Sequence, residues 1–326
     1  MATTTQVPAE AHTEALSTRQ ARAELSRMIE APDTAAVTLI DTLGPVTAHQ
    51  LITQGTRLDI LAADTPGLDD ATRYDAVTRL RDRAPVEPLD LDALAADGIG
   101  VLIPEDPEWP ETLDCWETAP VALWYRADEF TTTPLDRLPD FTQTIAITGT
   151  HELTSYGAQV THDITPPLIT YGHTIITGTG YGTDAAALRA ALAAGNPRSV
   201  TAALAVTAGG VDALYPAGNI ALLHQVAAGG LLLSEYAPGT GPTRQRFIRR
   251  NVLLAHLARA LVIPEARSTS TVSHTANTAL SLGRAVGVVP GSIYSSASEL
   301  PNLLAAEPGV TAVTSAPDIA QMIAYH

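Results

Sequence analysis

From residue 144 onward, apolar positions gather in short uninterrupted runs instead of alternating with polar ones. The runs span 144–148, 173–177, 199–207, 230–233, 260–264 and 285–289, with a weaker one at 310–313. Between them lie segments of helical periodicity at 184–194, 217–228, 248–258 and 275–283. A strand that is apolar on both faces has both faces covered, and strands that alternate with helices pair in parallel. The pattern predicts an α/β fold, a doubly wound Rossmann-like parallel sheet, over residues 141–326. No self-similarity at solenoid periods is present.

Upstream the pattern changes. Residues 1–17 are rich in Thr, Ala and Glu and poor in large apolar side chains, which predicts a disordered tail. From residue 18 the spacing turns helical, with Leu25, Met28 and Ile29 on one face. Segments 36–44 and 46–55 read as short helices around the Gly44-Pro45 turn, and another helix is expected over 69–83. Residues 18–95 are therefore read as a small all-α domain. Residues 96–140, with six prolines between 103 and 140, are read as an extended connector packed on the sheet.

Charge sharpens this division. The 326 residues carry 35 acids against 19 basic residues, a net −16. That balance argues against a generally basic, nucleic-acid-coating surface, while leaving room for a local basic patch. All of the imbalance lies upstream, because residues 152–326 hold nine acids and nine Arg. Cys115 is the single cysteine, so no internal disulfide or Cys-x-x-Cys site can form, and a reducing cytoplasmic setting is expected. Neither a secretory leader nor an apolar run of bilayer-spanning length is present, so no membrane association is expected.

In doubly wound sheets ligands bind beyond the carboxyl ends of the strands, where helix N-termini present free N–H groups. Three such ends carry glycine: Gly149-Thr150-His151 after the first run, Thr177-Gly178 with Gly180, Gly182 and Asp184 after the second, and Gly209-Gly210 after the third. These glycines do not have the G-x-G-x-x-G spacing, so a dinucleotide is not expected, but together they suit a phosphate or nucleotide cradle. Asp184 also reads as a plain helix cap. A second feature is Arg244, Arg246, Arg249 and Arg250, with Arg259 and Arg267 following. A helix starting near Ile248 would turn Val252, Leu253 and Leu257 inward and leave Arg249 and Arg250 in its first turn. Cations there oppose the helix dipole, which favours an anionic partner such as phosphate. Ser234 lacks a nucleophile elbow, and the nine His show no metal-ligand spacing, so neither catalytic nor metal-binding residues are expected.

Taken in chain order these segments resemble the DprA/Smf family of DNA-processing proteins. The resemblance is carried by Ile103-Pro-Glu-Asp-Pro-Glu-Trp-Pro110, Ile145-Ala-Ile-Thr-Gly-Thr150, the Thr177–Asp184 loop, Gly210 with Asp212, Tyr215-Pro216 and Asn219, Ser234-Glu235-Tyr236, Phe247 with Arg250-Asn251, Glu265, Thr275-Ala276, and Pro290-Gly291. It implies a SAM-like amino-terminal domain and a cytoplasmic, non-catalytic homodimer without a cofactor. Such a protein would bind single-stranded DNA and load a RecA-type recombinase during natural transformation. Its DNA contacts would come from the glycine loops, the Arg cluster, Asn251 and Ser270. The sequence departs from the family pattern at His151 and Val252, where Arg is expected, at Leu188, where His is expected, and at Ser270-Thr271, where Ser-Gly is expected. Pro166-Pro167 is expected to interrupt the first helix of the sheet domain. The sequence stops soon after the last strand, which implies a member without the winged-helix domain that others carry. Gly180-Tyr-Gly182-Thr183 is also similar to a loop of the lysine-decarboxylase-like phosphoribohydrolases, although Ala185 and Ala186 stand where that family has Glu. A nucleotide-binding or nucleotide-hydrolysing protein is therefore one alternative, and a ligand-free interaction scaffold is another.

Overall fold

A computed structural model describes residues 16–127, 138–195 and 201–326. All but the last two residues of the expected amino-terminal tail lie outside the described residues. Six helices come first: α1 (Thr18–Met28), α2 (Thr34–Leu43), α3 (Pro45–Gln54), α4 (Arg57–Ala62), α5 (Asp70–Asp82) and α6 (Leu91–Ala96). Their starts follow the capping residues in the sequence, with Ser17, Asp33, Thr56, Asp69 and Asp90 each accepting a hydrogen bond from a backbone N–H of the first turn. The expected face of Leu25 and Met28 packs with Leu39, Ile40, Ile52, Val77 and Leu80 into a separate small core.

The segment read as an extended connector does more than pack on the sheet. It contributes β1 (Ile99–Leu102) and β2 (Leu123–Arg126), which pair antiparallel and join the sheet through β6. At four residues each, they are too short for a periodic signal among six prolines. The other strands are β3 (Thr144–Ile147), β4 (Thr174–Thr177), β5 (Ala203–Val206), β6 (Leu231–Ser234), β7 (Ala260–Ile263), β8 (Ala285–Val288) and β9 (Val310–Ala312). The sheet order is β1-β2-β6-β5-β4-β3-β7-β8-β9, parallel from β6 to β9. The chain runs from β3 outward to β6, then crosses back to β7 on the other side of β3. The gap between β3 and β7 is thus the topological switch point of a doubly wound sheet.

Helices cover both faces. α7 (Ser155–Thr170), α8 (Thr183–Ala194), α9 (Ile220–Gly229) and α13 (Ala316–Ala324) share one core with Ile145, Ile147, Ile175, Ala203, Ala205, Leu232 and Val262. α10 (Arg244–Leu257), α11 (Val272–Ser281) and α12 (Glu299–Leu304) share the other with Ala146, Ile176, Leu204, Val206, Leu231, Leu233 and Leu261. Successive residues of each strand feed opposite cores, which is why the strands read as continuous apolar runs.

Two expectations need correcting. Pro166 and Pro167 do not interrupt α7, which runs unbroken for 16 residues. The i−4 carbonyls that lose their donors belong to His162 and Asp163, which lie on the exposed side of the helix, where an unpaired carbonyl costs little. α10 begins at Arg244 and not at Ile248, because Thr243 caps it by accepting from the Arg246 N–H at 3.3 Å. Arg249 and Arg250 therefore sit in its second turn, and both are buried.

Candidate nucleic-acid interface

At the carboxyl ends of β3 and β7 the molecule opens into a cleft of about 660 Å³. One wall is the loop after β3, with Gly149, Thr150, His151 and Glu152. A second is the start of α10 with Arg244, Phe247 and Ile248, faced by Tyr215. The third is the turn into α11, with Arg267, Thr269, Ser270 and Thr271. Arg250, Asn251 and Asp184 also line the cleft, and Asp184 and Arg250 are the most deeply buried of its charged residues.

The floor is a buried polar network centred on Asp184. Its Oδ1 accepts hydrogen bonds from the Thr148 and Thr177 hydroxyls at 2.8 and 3.1 Å, and its Oδ2 accepts from the Gly180 N–H at 3.1 Å. Arg250 Nη1 lies 3.6 Å from the same Oδ2 and also donates to the Val206 carbonyl at 3.5 Å. The Arg250 Nε has no hydrogen-bond partner among the described residues. Burial lowers the Arg250 pKa from its ordinary value, while Asp184 opposes that shift. Gly178 is what lets the guanidinium through, since a Cβ there would fall 1.3 Å from Nη1. Gly182 serves the adjoining turn: its φ is +69°, and a Cβ would meet the Thr150 carbonyl at 2.2 Å.

Among the residues expected to contact a phosphate, the structure gathers Gly149, Thr150, His151, Asp184, Arg244, Arg250, Asn251 and Ser270 around the cleft. Thr177, Gly178, Gly180 and Gly182 do not line it but build its floor and one rim from behind. Arg246 points the other way, paired with Glu30 of the helical domain and lying over the Tyr236 ring. Arg249 is also turned away from the cleft. It pairs with Glu235 at 2.8 Å, donates to the Thr118 hydroxyl at 2.9 Å, and lies over Trp116 at 3.8 Å. Its expected phosphate contact is therefore corrected to a structural ion pair, because the second turn of α10 faces the connector there. Tyr215, Phe247, Glu152 and Arg267 were not among the expected contacts. For Tyr215 and Phe247 the signal was present, since both stand in the motifs that carry the family resemblance.

Beneath Arg249, His256 stacks on Trp116 with 4.0 Å between ring centroids. Burial, reinforced by the nearby Arg249 and Arg284 charges, pushes the His256 pKa down to about 4. The folded protein thus holds a neutral imidazole that the unfolded chain would protonate near 6.5. The stability this gives is present above that value and is lost as pH falls from about 6.5 toward 4, by up to about 3 kcal/mol. Urea midpoints across that window are expected to slope less steeply in His256→Phe than in the wild type, and equal slopes would refute this assignment.

Among the described residues no group of three or more His, Cys, Asp and Glu side chains could hold a metal ion. No helix there is long and apolar enough to cross a membrane.

A family model described as DNA recombination-mediator protein A matches residues 100–324. The chain is 35% identical over 320 residues to a Mycobacterium tuberculosis protein assigned as a DNA processing protein DprA, covering 94% of this chain and 76% of that protein. It is 32% identical over 175 residues to the DNA processing protein DprA of Bacillus subtilis, covering 54% and 57% of the two chains. Among solved structures, DNA processing protein A of Streptococcus pneumoniae aligns with a TM-score of 0.68 at 24% identity, over 91% of this chain and 95% of that one. The Helicobacter pylori counterpart, described for its single-stranded DNA binding mode, aligns with a TM-score of 0.59 at 23% identity, over 70% and 96%. At these identities the two structures bear on the fold alone.

Proposed function

The chain belongs to the DNA recombination-mediator protein A family, and on that footing we propose that it binds single-stranded DNA in the cleft between β3 and β7. The observation that carries this reading is the pairing of cation and aromatic at the cleft wall. Arg244 is exposed and has no ion-pair partner among the described residues, while Tyr215 and Phe247 stand edge to face with ring centroids 5.7 Å apart. A cationic groove tracks a phosphate backbone, and aromatic faces stack unpaired bases without regard to sequence. The positive dipole end at the start of α11, which lines the cleft at Thr271 and Val272, adds to the same field. The protein acts in this reading by holding the strand and performs no reaction on it.

Family membership supports the rest of the proposal, a cytoplasmic homodimer that processes incoming DNA by passing the bound strand to a RecA-type recombinase. The nucleotide-hydrolase alternative loses its motive, because Gly180 and Gly182 of its loop lie behind the cleft.

Fluorescence anisotropy of a labelled oligo-dT strand, titrated at several salt concentrations, tests the proposal. Binding is expected to weaken as salt rises, and Arg244→Ala is expected to weaken it further and reduce the log–log salt slope by about one. No binding at low salt, or binding indifferent to salt, would overturn the reading and turn attention to a free nucleotide or a protein partner.

A further inference from the structure

Resting on that reading, we propose that Glu152 is a built-in competitor of the strand, its carboxylate holding Arg267 across the mouth of the cleft until a phosphate displaces it. Arg267 Nη2 lies 2.5 Å from Glu152 Oε2, and both residues line the cleft. The bridge joins the loop after β3 to the loop after β7, so it spans the switch point itself.

The two ends are anchored, while their side chains are free to exchange partners. On one side, the Glu152 N–H donates to the Thr150 hydroxyl at 3.1 Å. On the other, the Ser268 N–H and hydroxyl donate to Glu299 at 3.3 and 2.9 Å, fixing the residue next to Arg267. The side chains remain 75% exposed for Glu152 and 54% for Arg267. An ion pair so open to water is weak and opens readily, unlike the buried pairs Asp184–Arg250 and Glu235–Arg249.

The charges around the cleft make this pair matter. Arg250 is committed to Asp184, and Arg244 has no ion-pair partner among the described residues. Among the described residues Arg267 is the one other Arg lining the cleft, and Glu152 is the one exposed carboxylate there. A phosphate arriving between the loops therefore gains Arg267 only by taking it from Glu152. The competition lowers affinity and the number of counterions released, and it favours a polyanion with several phosphates over a single small anion. The acid thus sets a threshold on what the cleft retains.

The oligo-dT titration, run on Glu152→Gln, Arg267→Ala and the double variant, tests the proposal. Glu152→Gln is expected to tighten binding about fivefold, the most that an exposed ion pair is worth, and to steepen the log–log salt slope by about one. Arg267→Ala is expected to weaken binding only slightly, since Arg267 is already engaged in the free protein. In the Arg267→Ala background the gain from Glu152→Gln is expected to shrink well below fivefold. An equal gain in both backgrounds would mean that Glu152 merely repels the strand, and it would overturn the competitor role, as would no gain at all. Absence of binding by every protein, wild type included, would instead fell the strand reading on which the proposal rests.

Discussion

Replacement of Arg249 by Ala is expected to cost about 3–5 kcal/mol of stability, because it strands a carboxylate inside the protein. The Arg249 and Glu235 side chains are only 5% and 9% exposed, and they meet in a two-point contact at 2.8 Å on each arm. Arg249 also donates to the Thr118 hydroxyl and carbonyl and covers Trp116, so it joins α10, the β6 end and the segment before β2. Burial already pushes the Glu235 pKa up, and Arg249 is what holds it down. Without Arg249 the folded state would retain a proton on Glu235 that the unfolded chain releases. A carboxyl whose folded pKa is raised contributes stability below its unfolded value and loses it as pH rises through the folded one. The deficit of the variant is therefore expected to grow from acid to neutral pH. Urea unfolding at constant m-value measures it. A loss under 1 kcal/mol, or one independent of pH, would refute the assignment. Because Arg249 does not line the cleft, the folded fraction of the variant is expected to keep its strand binding.

The same residue shows where sequence reading ends. Its place beside Arg250 near the start of a helix made it look like a phosphate ligand, since a cation in a first turn calls for an anion. The premise failed by four residues: Thr243 caps the helix earlier, and the second turn faces the connector on one side and the sheet on the other. Two adjacent Arg thus find two different buried acids, Glu235 and Asp184. Nothing in the spacing of residues 244–251 distinguishes an Arg bound to a distant buried acid from one awaiting a ligand. Only the fold brings Glu235 and Thr118 to the first and Asp184 to the second.

The sheet was far more legible, because its information is local. Each central strand, such as Ile145-Ala-Ile147 or Leu231-Leu-Leu233, sends alternate residues into two cores, so the run of apolar residues is itself the signature of double coverage. β1 and β2 escaped because they are four-residue strands with prolines nearby, β1 at the sheet edge, and the pairing of β2 with β6 is non-local. The glycine loops were visible as loops, but their division of labour was not. Gly178 reads like a phosphate-facing glycine, yet it serves to clear a path for Arg250.

Replacement of Asp184 by Ala is expected to have an effect as large as that of Arg249→Ala, about 3–5 kcal/mol, and also to abolish strand binding. The carboxylate is 4% exposed on its side chain and answers four donors: two Thr hydroxyls, the Gly180 N–H and the Arg250 guanidinium. Its loss leaves the Thr148 hydroxyl and the Gly180 N–H buried and unsatisfied and the Arg250 charge uncompensated, in a place that water reaches poorly, while the Thr177 hydroxyl keeps the Ile147 carbonyl at 2.6 Å. Asp184→Asn is expected to recover only part of the loss. One amide oxygen can still accept from the Thr hydroxyls, but the amide nitrogen then meets the Gly180 N–H and Arg250 as donor against donor. Arg250→Met in the Asp184→Ala background removes the stranded cation, so the double variant is expected to cost about 2 kcal/mol less than the sum of the singles. Additive losses in urea unfolding would mean that Asp184 serves the loops alone and that Arg250 does not depend on it. The binding defect separates the two roles further: if the loops set the cleft, the double variant regains stability but not affinity, because Thr148 and Gly180 remain without their acceptor.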